Sequence, residues 1–244
     1  MIEATNVTGI VLCGGKGSRL DGRDKPLIEL GSKTIIEHIL DRLALQCDRI
    51  LLSCTRNVAL YETLNHEVVV DLDLEEGPLG GLNAALQSVT TEWVLTVPGD
   101  APFVPQNLTT LLEKDAQKQG IAFPTADNQQ HNLTMLMNRR RSNNLQTFYK
   151  NGGRAVKKWF LDEKIQSTNL DDYSVHFFNI NTESQLAKAS QLLASLNDSQ
   201  SIKFYYFRSK VGFAKRSHRG TNSRAQKASP IAPTIDPKFG CYDY

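Results

Sequence analysis

Residues 8–27 read TGIVLCGGKGSRLDGRDKPL, a short apolar run that leads into a glycine-rich loop. The apolar run has the length of a buried strand. Glycines let backbone amides approach a ligand closely, because no side chain stands in the way. Such amides, followed by the cations Arg19 and Lys25, are well suited to hold a polyphosphate. The stretch therefore predicts a strand that ends in a nucleoside triphosphate site.

Two common phosphate-binding motifs do not account for this loop. Residues 14–19 (GGKGSR) lack the G-x-x-x-x-G-K-[ST] order of a Walker loop. Residues 15–17 begin a G-x-G-x-x-G dinucleotide fingerprint, but Leu20 occupies the position of its third glycine. An ordinary strand-to-helix turn is the simpler alternative, since glycine clusters occur in many folds. A turn would not need Arg19 and Lys25 as well, so we favour a phosphate loop of another kind.

Composition excludes several classes of protein. The 244 residues are 40% hydrophobic and 22% charged, as in ordinary globular chains. Residues 1–9 (MIEATNVTG) have neither the basic nor the apolar segment of a secretory signal, and no apolar run reaches the roughly 18 residues of a membrane span. We therefore expect a cytoplasmic protein with no membrane partner. The four cysteines and five histidines lack the spacing of a zinc site or a disulfide framework.

Charge divides the chain into two parts. Residues 198–244 hold nine basic and three acidic residues, whereas the remainder holds 19 basic and 23 acidic residues. The mildly acidic body disfavours nucleic acid as a partner and makes the basic loop a local feature. The last segment is also rich in serine and has no sustained hydrophobic period. We predict a folded domain over residues 1–197 and a basic, poorly structured tail over residues 198–244.

Strand-like and helix-like segments alternate through the body. This alternation is typical of an α/β fold, here a single Rossmann-like, mostly parallel sheet with helices on both faces. The region 127–172 is rich in Asn, Gln, Lys and Arg, and we expect it to contain loops. The predicted strands span residues 9–13, 49–54, 67–72, 93–97 and 177–181. The predicted helices span 34–47, 58–64, 82–89 and 108–118, with a last one opened by the capping box Thr182–Gln185.

Several polar residues follow the predicted strands. Ligands of parallel sheets bind beyond the carboxyl ends of the strands. The glycine loop, Asp71 and Asp100 all fall at such ends. Asp100 alone would be best explained as a turn former. Because the three segments should converge, we expect them to form one site.

The opening loop resembles the L-A-G-G-x-x-x-R-M-G-G-x-D-K-x-L signature of the MobA family, the molybdenum cofactor guanylyltransferases. In this chain the signature reads LCGGKGSRLDGRDKPL over residues 12–27. Four further features follow in the family's order, so the resemblance covers roughly residues 8–197. They are a strand ending at Asp71, GPLGG at 77–81, PGDAPF at 98–103 and FNINTE at 178–183.

The resemblance implies a nucleotidyltransferase that joins GMP from GTP to the terminal phosphate of molybdopterin, uses Mg²⁺ and releases pyrophosphate. Such a reaction needs no protein nucleophile, because the phosphate of the acceptor attacks the α-phosphorus. Catalysis then depends on positioning and on neutralising charge. The absence of a Ser-His-Asp or Cys-His set agrees with that mechanism. The resemblance also implies transient contact with maturation proteins of molybdoenzymes.

The same resemblance assigns roles to individual residues. Arg19, Lys25 and Asp100 would be catalytic, and Asp100 would hold Mg²⁺. Asn179 and Asn181 would contact the acceptor. The Pro78-Leu79 turn would read guanine through backbone groups. The residues expected to bind GTP are Leu12, Cys13, Gly14, Gly15, Lys25, Ser53, Asp71, Pro78, Leu79 and Asp100.

The chain departs from the family pattern at several positions. Cys13 replaces a small alanine, which a backbone contact would tolerate, and Leu20 replaces a methionine of similar size. Ser53 stands where the best-matched relatives carry asparagine, so any contact from it would be shorter. His131-Asn132 replaces a frequent His-Pro pair, and we expect the acceptor pocket to differ accordingly.

Three other functions stay open at this point. One is transfer of CMP to molybdopterin, or another small nucleotidyl transfer, although the Cys-Gly-Gly loop and the GPLGG segment favour guanine. Another is nucleic-acid binding through the basic tail, which we disfavour because charge runs are usually only solvated. The last is a non-catalytic, nucleotide-binding maturation scaffold. A scaffold would have no chemical need for Arg19, Lys25 and Asp100 together.

Overall fold

The computed structural model describes residues 1–14, 22–71 and 77–196. Short 3₁₀ turns lie at Ala4–Asn6, Lys25–Leu27, Arg139–Arg141 and Asp171–Phe177. The strands, in chain order, are β1 Val7–Leu12, β2 Glu29–Leu30, β3 Lys33–Thr34, β4 Arg49–Cys54, β5 Glu67–Val70, β6 Trp93–Pro98, β7 Ile121–Ala122, β8 Pro124–Ala126, β9 Gln129–Gln130, β10 Met135–Asn138 and β11 Thr168–Asn169. The helices are α1 Ile35–Leu43, α2 Val58–Glu62, α3 Gly77–Leu86, α4 Leu108–Gln119, α5 Ser142–Lys150, α6 Val156–Asp162 and α7 over residues 183–196.

The main sheet is built around β1 and has the strand order β5-β4-β1-β6-β10-β7. Strands β5, β4, β1 and β6 are parallel, whereas β10 pairs antiparallel with both β6 and β7. All residues of β1 are buried, as expected of a central strand covered on both faces. The remaining strands form a small sheet of β11, β8 and β9 and a hairpin of β2 and β3. The predicted mostly parallel α/β sheet is confirmed.

Successive residues of β1 serve two hydrophobic cores, one on each face of the sheet. Val7 and Val11 pack in the core that contains α1 and α4, and Ile10 and Leu12 pack in the core that contains α3 and α6. This division follows from the two-residue period of a strand. The continuous apolar run therefore fills both cores and leaves the polar chemistry to the residues that follow the strand.

Helix α1 follows the predicted pattern at its start and ends earlier than expected. Thr34 caps it, because its hydroxyl accepts a hydrogen bond from the Glu37 amide while the Glu37 carboxylate accepts one from the Thr34 amide. Ile35 and Ile39 are fully buried on the predicted face. The helix ends at Leu43 rather than at residue 47, and the following turn leads directly into β4.

The GPLGG segment is helical, which corrects the prediction of a turn before a helix over 82–89. It forms the first turn of α3, which begins at Gly77. Pro78 is tolerated there because the first helical amides have no partner within the helix. Gly81 allows close packing, since a Cβ atom at this position would lie 2.5 Å from Ser53 Oγ and 3.4 Å from Asp71 Oδ2. The glycines thus let α3 approach the ends of β4 and β5.

The strand predicted over residues 177–181 is wrong. A 3₁₀ turn ends at Phe177, and the chain then runs irregularly to α7. The Ile180 amide donates to the backbone carbonyl of Asp100 at 2.8 Å, and the Asn181 amide donates to Gln185 Oε1 at 2.8 Å. These hydrogen bonds take the place of those that a neighbouring strand would have formed. The predicted cap is present, because Thr182 Oγ1 accepts from the Gln185 amide at 3.2 Å.

The region 127–172 holds more regular structure than the loops predicted for it. It contributes β10 to the main sheet and the helices α5 and α6 to one face. The sparse apolar residues Leu145, Trp159 and Phe160 are buried in that core. The abundant polar residues hid the helices, because they occupy the exposed faces.

The predicted tail over residues 198–244 lies outside the described residues, and the division of the chain at residue 197 stays a prediction. Within the described ranges, no helix has the length and apolar character required to cross a membrane.

We expect Gly99→Ala to destabilise the fold where β6 meets the end of β1. A Cβ atom at Gly99 would lie 2.7 Å from Pro26 Cγ and 3.1 Å from the Leu12 carbonyl oxygen, and the backbone cannot move aside cheaply. The free energy of unfolding should fall by about 1–3 kcal/mol, the usual cost of overpacking. Gly14→Ala is the matched control, because its Cβ would meet only Thr55 Cγ2 at 3.5 Å. Equal melting temperatures for the two variants would contradict this account.

Candidate active site

A cleft of about 240 Å³ opens at the carboxyl ends of β1, β4 and β6. This is the edge of a parallel sheet where ligands are expected. Segments that are far apart in the sequence contribute to its walls. The lining residues are Leu12, Cys13, Gly14, Asp24, Lys25, Pro26, Arg56, Pro78, Pro98, Gly99, Asp100, Leu133 and Asn179.

The floor of the cleft is the backbone at the end of β1. The Cys13 amide donates to the Ser53 carbonyl at 2.8 Å, and the Gly99 amide donates to the Leu12 carbonyl at 2.9 Å. The Cys13 side chain lies in the core on the α1 side, where Sγ donates to the Val11 carbonyl at 3.6 Å. The replacement of alanine by cysteine therefore places the thiol in the core.

A polar cluster joins Lys25, Asp100, Asn179 and Asn181. Lys25 Nζ lies 3.7 Å from Asp100 Oδ2 and donates to Asn181 Oδ1. Asn179 Nδ2 donates to Asp100 Oδ1 at 2.9 Å. The side chains of Lys25 and Asp100 are 21% and 19% exposed, so the ion pair is accessible from the cleft but largely desolvated. The structure thus brings four predicted site residues into one cluster.

Burial raises the pKa of Asp100, because desolvation penalises the ionised carboxylate. The neighbouring Lys25 ammonium and the hydrogen bond from Asn179 act in the opposite direction. A carboxylate whose pKa is perturbed by burial and by a specific cation in a cleft is typical of a functional site.

Lys25 is placed by a tight turn that begins at Asp24. The Leu27 amide donates to the Asp24 carbonyl at 3.0 Å, and the Ile28 amide donates to the Lys25 carbonyl at 3.1 Å. The ring of Pro26 is buried against the site where Gly99 has no side chain. Because Pro26 is fixed in this way, the preceding lysine is directed toward Asp100.

The residues expected at the nucleoside do not all line the cleft. Pro78 does so from the first turn of α3. Ser53, Asp71 and Leu79 are buried, with 2%, 7% and 0% of their surface exposed. Ser53 and Asp71 pack beneath α3 beside Gly81. Gly15 and Arg19 lie outside the described residues, and their roles stay predictions.

Arg56 and Asp24 line the cleft and were not singled out from the sequence. Arg56 Nη2 donates to the Arg23 carbonyl at 3.1 Å, and Arg56 Nε lies 3.9 Å from Asp24 Oδ2. Asn57 Nδ2 donates to the same Asp24 oxygen at 2.9 Å. The position of Arg56, two residues after β4, becomes a signal once the strand order is known, since the carboxyl ends of neighbouring parallel strands converge.

A second cavity of about 620 Å³ adjoins the cleft and shares Pro98, Leu133 and Asn179 with it. Asn181 also lines it, so both residues predicted to contact the acceptor face this cavity. The wall is predominantly polar. Its other described residues are Ala126, Asp127, Gln129, Gln130, His131, Asn132, Thr134, Ser174, Phe177, Phe178 and Gln185.

The His131-Asn132 pair belongs to the second cavity. The imidazole of His131 stacks on Phe177 with the ring centroids 4.9 Å apart, and burial lowers its pKa. The neutral ring is therefore favoured near pH 7. Asn132 Oδ1 is buried and has no hydrogen-bond partner within the described part of the chain. Both residues of the pair thus belong to the wall of this cavity, but the Asn132 oxygen is buried within that wall.

Comparison with known proteins gives consistent matches. The model of the MobA-like NTP transferase domain matches residues 9–166. The molybdenum cofactor guanylyltransferase of Cupriavidus metallidurans is 33% identical over 194 residues, which cover 76% of this chain and 95% of the relative. The enzyme of the same name from Ralstonia nicotianae is 32% identical, with 78% of this chain and 99% of the relative covered.

Two solved structures illustrate the shared fold. Molybdopterin-guanine dinucleotide biosynthesis protein A from Archaeoglobus fulgidus superposes with a TM-score of 0.61 at 22% identity, covering 78% of this chain and 99% of that one. The 2-C-methyl-D-erythritol 4-phosphate cytidylyltransferase of Thermus thermophilus gives a TM-score of 0.61 at 13% identity, covering 78% and 100%. At these identities the likeness concerns the fold alone.

We expect the three described cysteines to resist thiol reagents in the native protein. Burial raises the pKa of Cys47 to about 12 and that of Cys54 to about 11, and it also raises the pKa of Cys13. The reactive thiolate is therefore scarce at pH 8. A Cys241→Ser variant treated with a chromogenic disulfide should react slowly at pH 8 and rapidly in denaturant. Immediate reaction of one equivalent in the native state would contradict the buried position of these thiols.

Proposed function

This chain belongs to the MobA-like NTP transferase family, and we propose that it transfers GMP from GTP to the terminal phosphate of molybdopterin with release of pyrophosphate. The observation that carries the proposal is the cluster of Lys25, Asp100, Asn179 and Asn181, which lies where the cleft meets the second cavity. We take the substrates from the names of the relatives, and we place the transfer reaction at the cluster.

The two cavities divide the substrates between them. GTP occupies the cleft, and molybdopterin occupies the adjoining cavity with its phosphate toward Asn179 and Asn181. The α-phosphorus then lies near the shared wall, where the attacking oxygen can reach it. An in-line displacement places the attacking and leaving groups on opposite sides of the phosphorus. The protein contributes alignment and charge, not a nucleophile.

The backbone at Leu12, Cys13 and Gly14 holds the nucleotide, continued by Gly15 of the glycine loop. Lys25 donates to the phosphates and offsets the charge that develops during transfer, together with Arg19. When the Lys25 ammonium moves from Asp100 to the phosphates, the Asp100 carboxylate loses its counter-ion. The lysine can therefore bind the phosphates only if another cation takes its place beside Asp100.

A divalent metal ion meets this need. The described lining of the cleft has two cationic residues, Lys25 and Arg56, and two anionic residues, Asp24 and Asp100. Their formal charges cancel. Among the described residues, no group of three or more His, Cys, Asp or Glu could hold a metal. A single carboxylate such as Asp100 suits Mg²⁺, which takes its other ligands from water and substrate phosphates. When bound there, Mg²⁺ would supply positive charge to the phosphates.

The first turn of α3 forms the nucleoside side of the site. Pro78 faces the cleft and Leu79 is buried behind it, so backbone groups of this turn are available to read guanine. Ser53 and Asp71 pack under the turn and belong to the same side. The shorter side chain of Ser53, in place of asparagine, leaves room for α3 to approach β4 closely.

The deciding experiment is release of pyrophosphate by the purified protein with molybdopterin and Mg²⁺, with GTP compared with CTP, ATP and UTP. We expect release that requires molybdopterin and favours GTP. Asp100→Asn should abolish it because the metal ligand is weakened, whereas Asp41→Asn, on the exposed surface of α1, should leave it unchanged.

The alternatives predict different results in the same assay. Preference for CTP would retain the reaction but overturn the assignment of the base. Nucleotide binding without pyrophosphate release from any nucleotide would favour a non-catalytic scaffold. Full activity of Asp100→Asn would exclude the metal role of this residue.

We expect Lys25→Ala to weaken GTP binding by about 1–3 kcal/mol, the scale of a lost hydrogen bond to a charged group. The loss arises because the variant removes a cation from the phosphate site, whereas the ion pair with Asp100 that it also removes belongs to the free protein. Isothermal titration with Mg²⁺ and GTP measures it. Lys33→Ala is a suitable control, because Lys33 pairs with Asp41 on the exposed surface of α1. An unchanged affinity in Lys25→Ala would remove this residue from the phosphate site.

A further inference from the structure

Arg56 lies on the side of the cleft opposite to the second cavity. The strand order places β4 on one side of β1, and β6 and β10 on the other. Arg56 follows β4 by two residues, whereas Asp100 follows β6 and the second cavity extends from β6 toward β10. The cleft therefore has a cation at each side of β1, with Lys25 near the second cavity and Arg56 far from it.

The guanidinium of Arg56 is held by neighbours that leave part of it available. Nη2 donates to the Arg23 carbonyl, and Nε lies 3.9 Å from Asp24 Oδ2. Within the described residues, Nη1 has no hydrogen-bond partner. The side chain is 37% exposed, whereas its counter-ion Asp24 is 6% exposed. The cation thus reaches the cleft while the carboxylate that orients it stays buried.

A purely structural ion pair explains Arg56 poorly. The distance of 3.9 Å is long for such a pair, and Asp24 Oδ2 already accepts a hydrogen bond from Asn57 at 2.9 Å. Asn57 adopts a left-handed backbone conformation with φ of 55°, which asparagine tolerates better than most residues. This turn brings both Arg56 and Asn57 over Asp24. A planar guanidinium presented in this way matches two phosphate oxygens.

We infer that Arg56 binds the β- and γ-phosphates of the nucleotide and stabilises the leaving pyrophosphate. The inference rests on the proposed function, because it uses the side from which the acceptor arrives. The acceptor phosphate oxygen forms a bond to the α-phosphorus, and the bond from that phosphorus to the bridging oxygen breaks. The electron pair stays on the departing pyrophosphate, on the side of the phosphorus that faces away from the second cavity. Arg56 lies on that side.

The test compares ligands that differ in their phosphates. Binding of GTP, GMP and inorganic pyrophosphate is measured with Mg²⁺ for the wild type, Arg56→Ala and Arg56→Lys. Arg56→Ala should weaken GTP and pyrophosphate by about 10- to 100-fold, the range expected for a charged hydrogen bond. GMP should bind unchanged, and Arg56→Lys should recover part of the loss.

Arg49→Ala is the matched control. Arg49 is the first residue of β4, at the end of the strand away from the cleft, and it is 36% exposed and pairs with Glu67. It therefore matches Arg56 in charge and exposure without lying at the cleft. It should bind all three ligands as the wild type does. Melting curves of each variant establish that the fold is intact.

Two results would overturn the inference. An equal loss for GMP and GTP would place Arg56 at the nucleoside or the α-phosphate. If Arg56→Ala bound both GTP and pyrophosphate as tightly as the wild type, Arg56 would be a structural partner of Asp24 only. These binding results are independent of molybdopterin. A phosphate-specific loss in a protein that transfers nothing to molybdopterin would retain the role of Arg56 and refute the proposed function instead.

Discussion

The rest of the structure depends on the pairing of β1 along both of its edges. Hydrogen bonds to β4 and β6 continue to the last residue of the strand, where Leu12 and Cys13 bond to Gly99 and Ser53. With both faces buried and both edges paired, the strand cannot shift without breaking two cores and two ladders. Its carboxyl end is therefore a fixed point from which the next backbone groups extend into the cleft.

Close backbone approach then joins the other parts of the site to this fixed point. Gly99 lets the β6 end lie against Pro26, and Gly81 lets α3 lie against Ser53. In both places the missing side chain determines how near two segments can come. Lys25 and Pro78 take their positions from these contacts. Gly81 and Gly99 thus determine how closely these segments approach the end of β1.

Much of the fold could be predicted from the sequence because its signals are local. The short, mostly apolar runs of β1, β4 and β6 and the apolar face of α1 specify their elements through short-range periodicity. The strand expected at 177–181 failed because Ile180 satisfies its amide with Asp100, which is distant in the sequence. The GPLGG segment was mistaken for a turn because glycine and proline indicate turns unless tertiary packing supports a helix.

The candidate site was predictable to a similar extent. The resemblance to a family identified Lys25, Asp100, Asn179 and Asn181, and the structure brings these residues together. The burial of Ser53 and Asp71 beneath α3 could not be foreseen, because it depends on how a helix and two strands pack. Arg56 carries no motif of its own, and its position becomes informative only when the strand order is known.

The ion pair between Lys25 and Asp100 has a consequence for the order in which ligands arrive. In the free protein each residue is the counter-ion of the other, so the described part of the cleft offers little net attraction to a simple anion or to a lone cation. A nucleotide that carries its own magnesium brings a negative and a positive charge together. It can therefore replace the Lys25–Asp100 ion pair with two new ones, Lys25 with the phosphates and Asp100 with the metal ion. Such a site would discriminate by charge pattern and favour a metal–nucleotide complex over a free phosphate or a free metal ion.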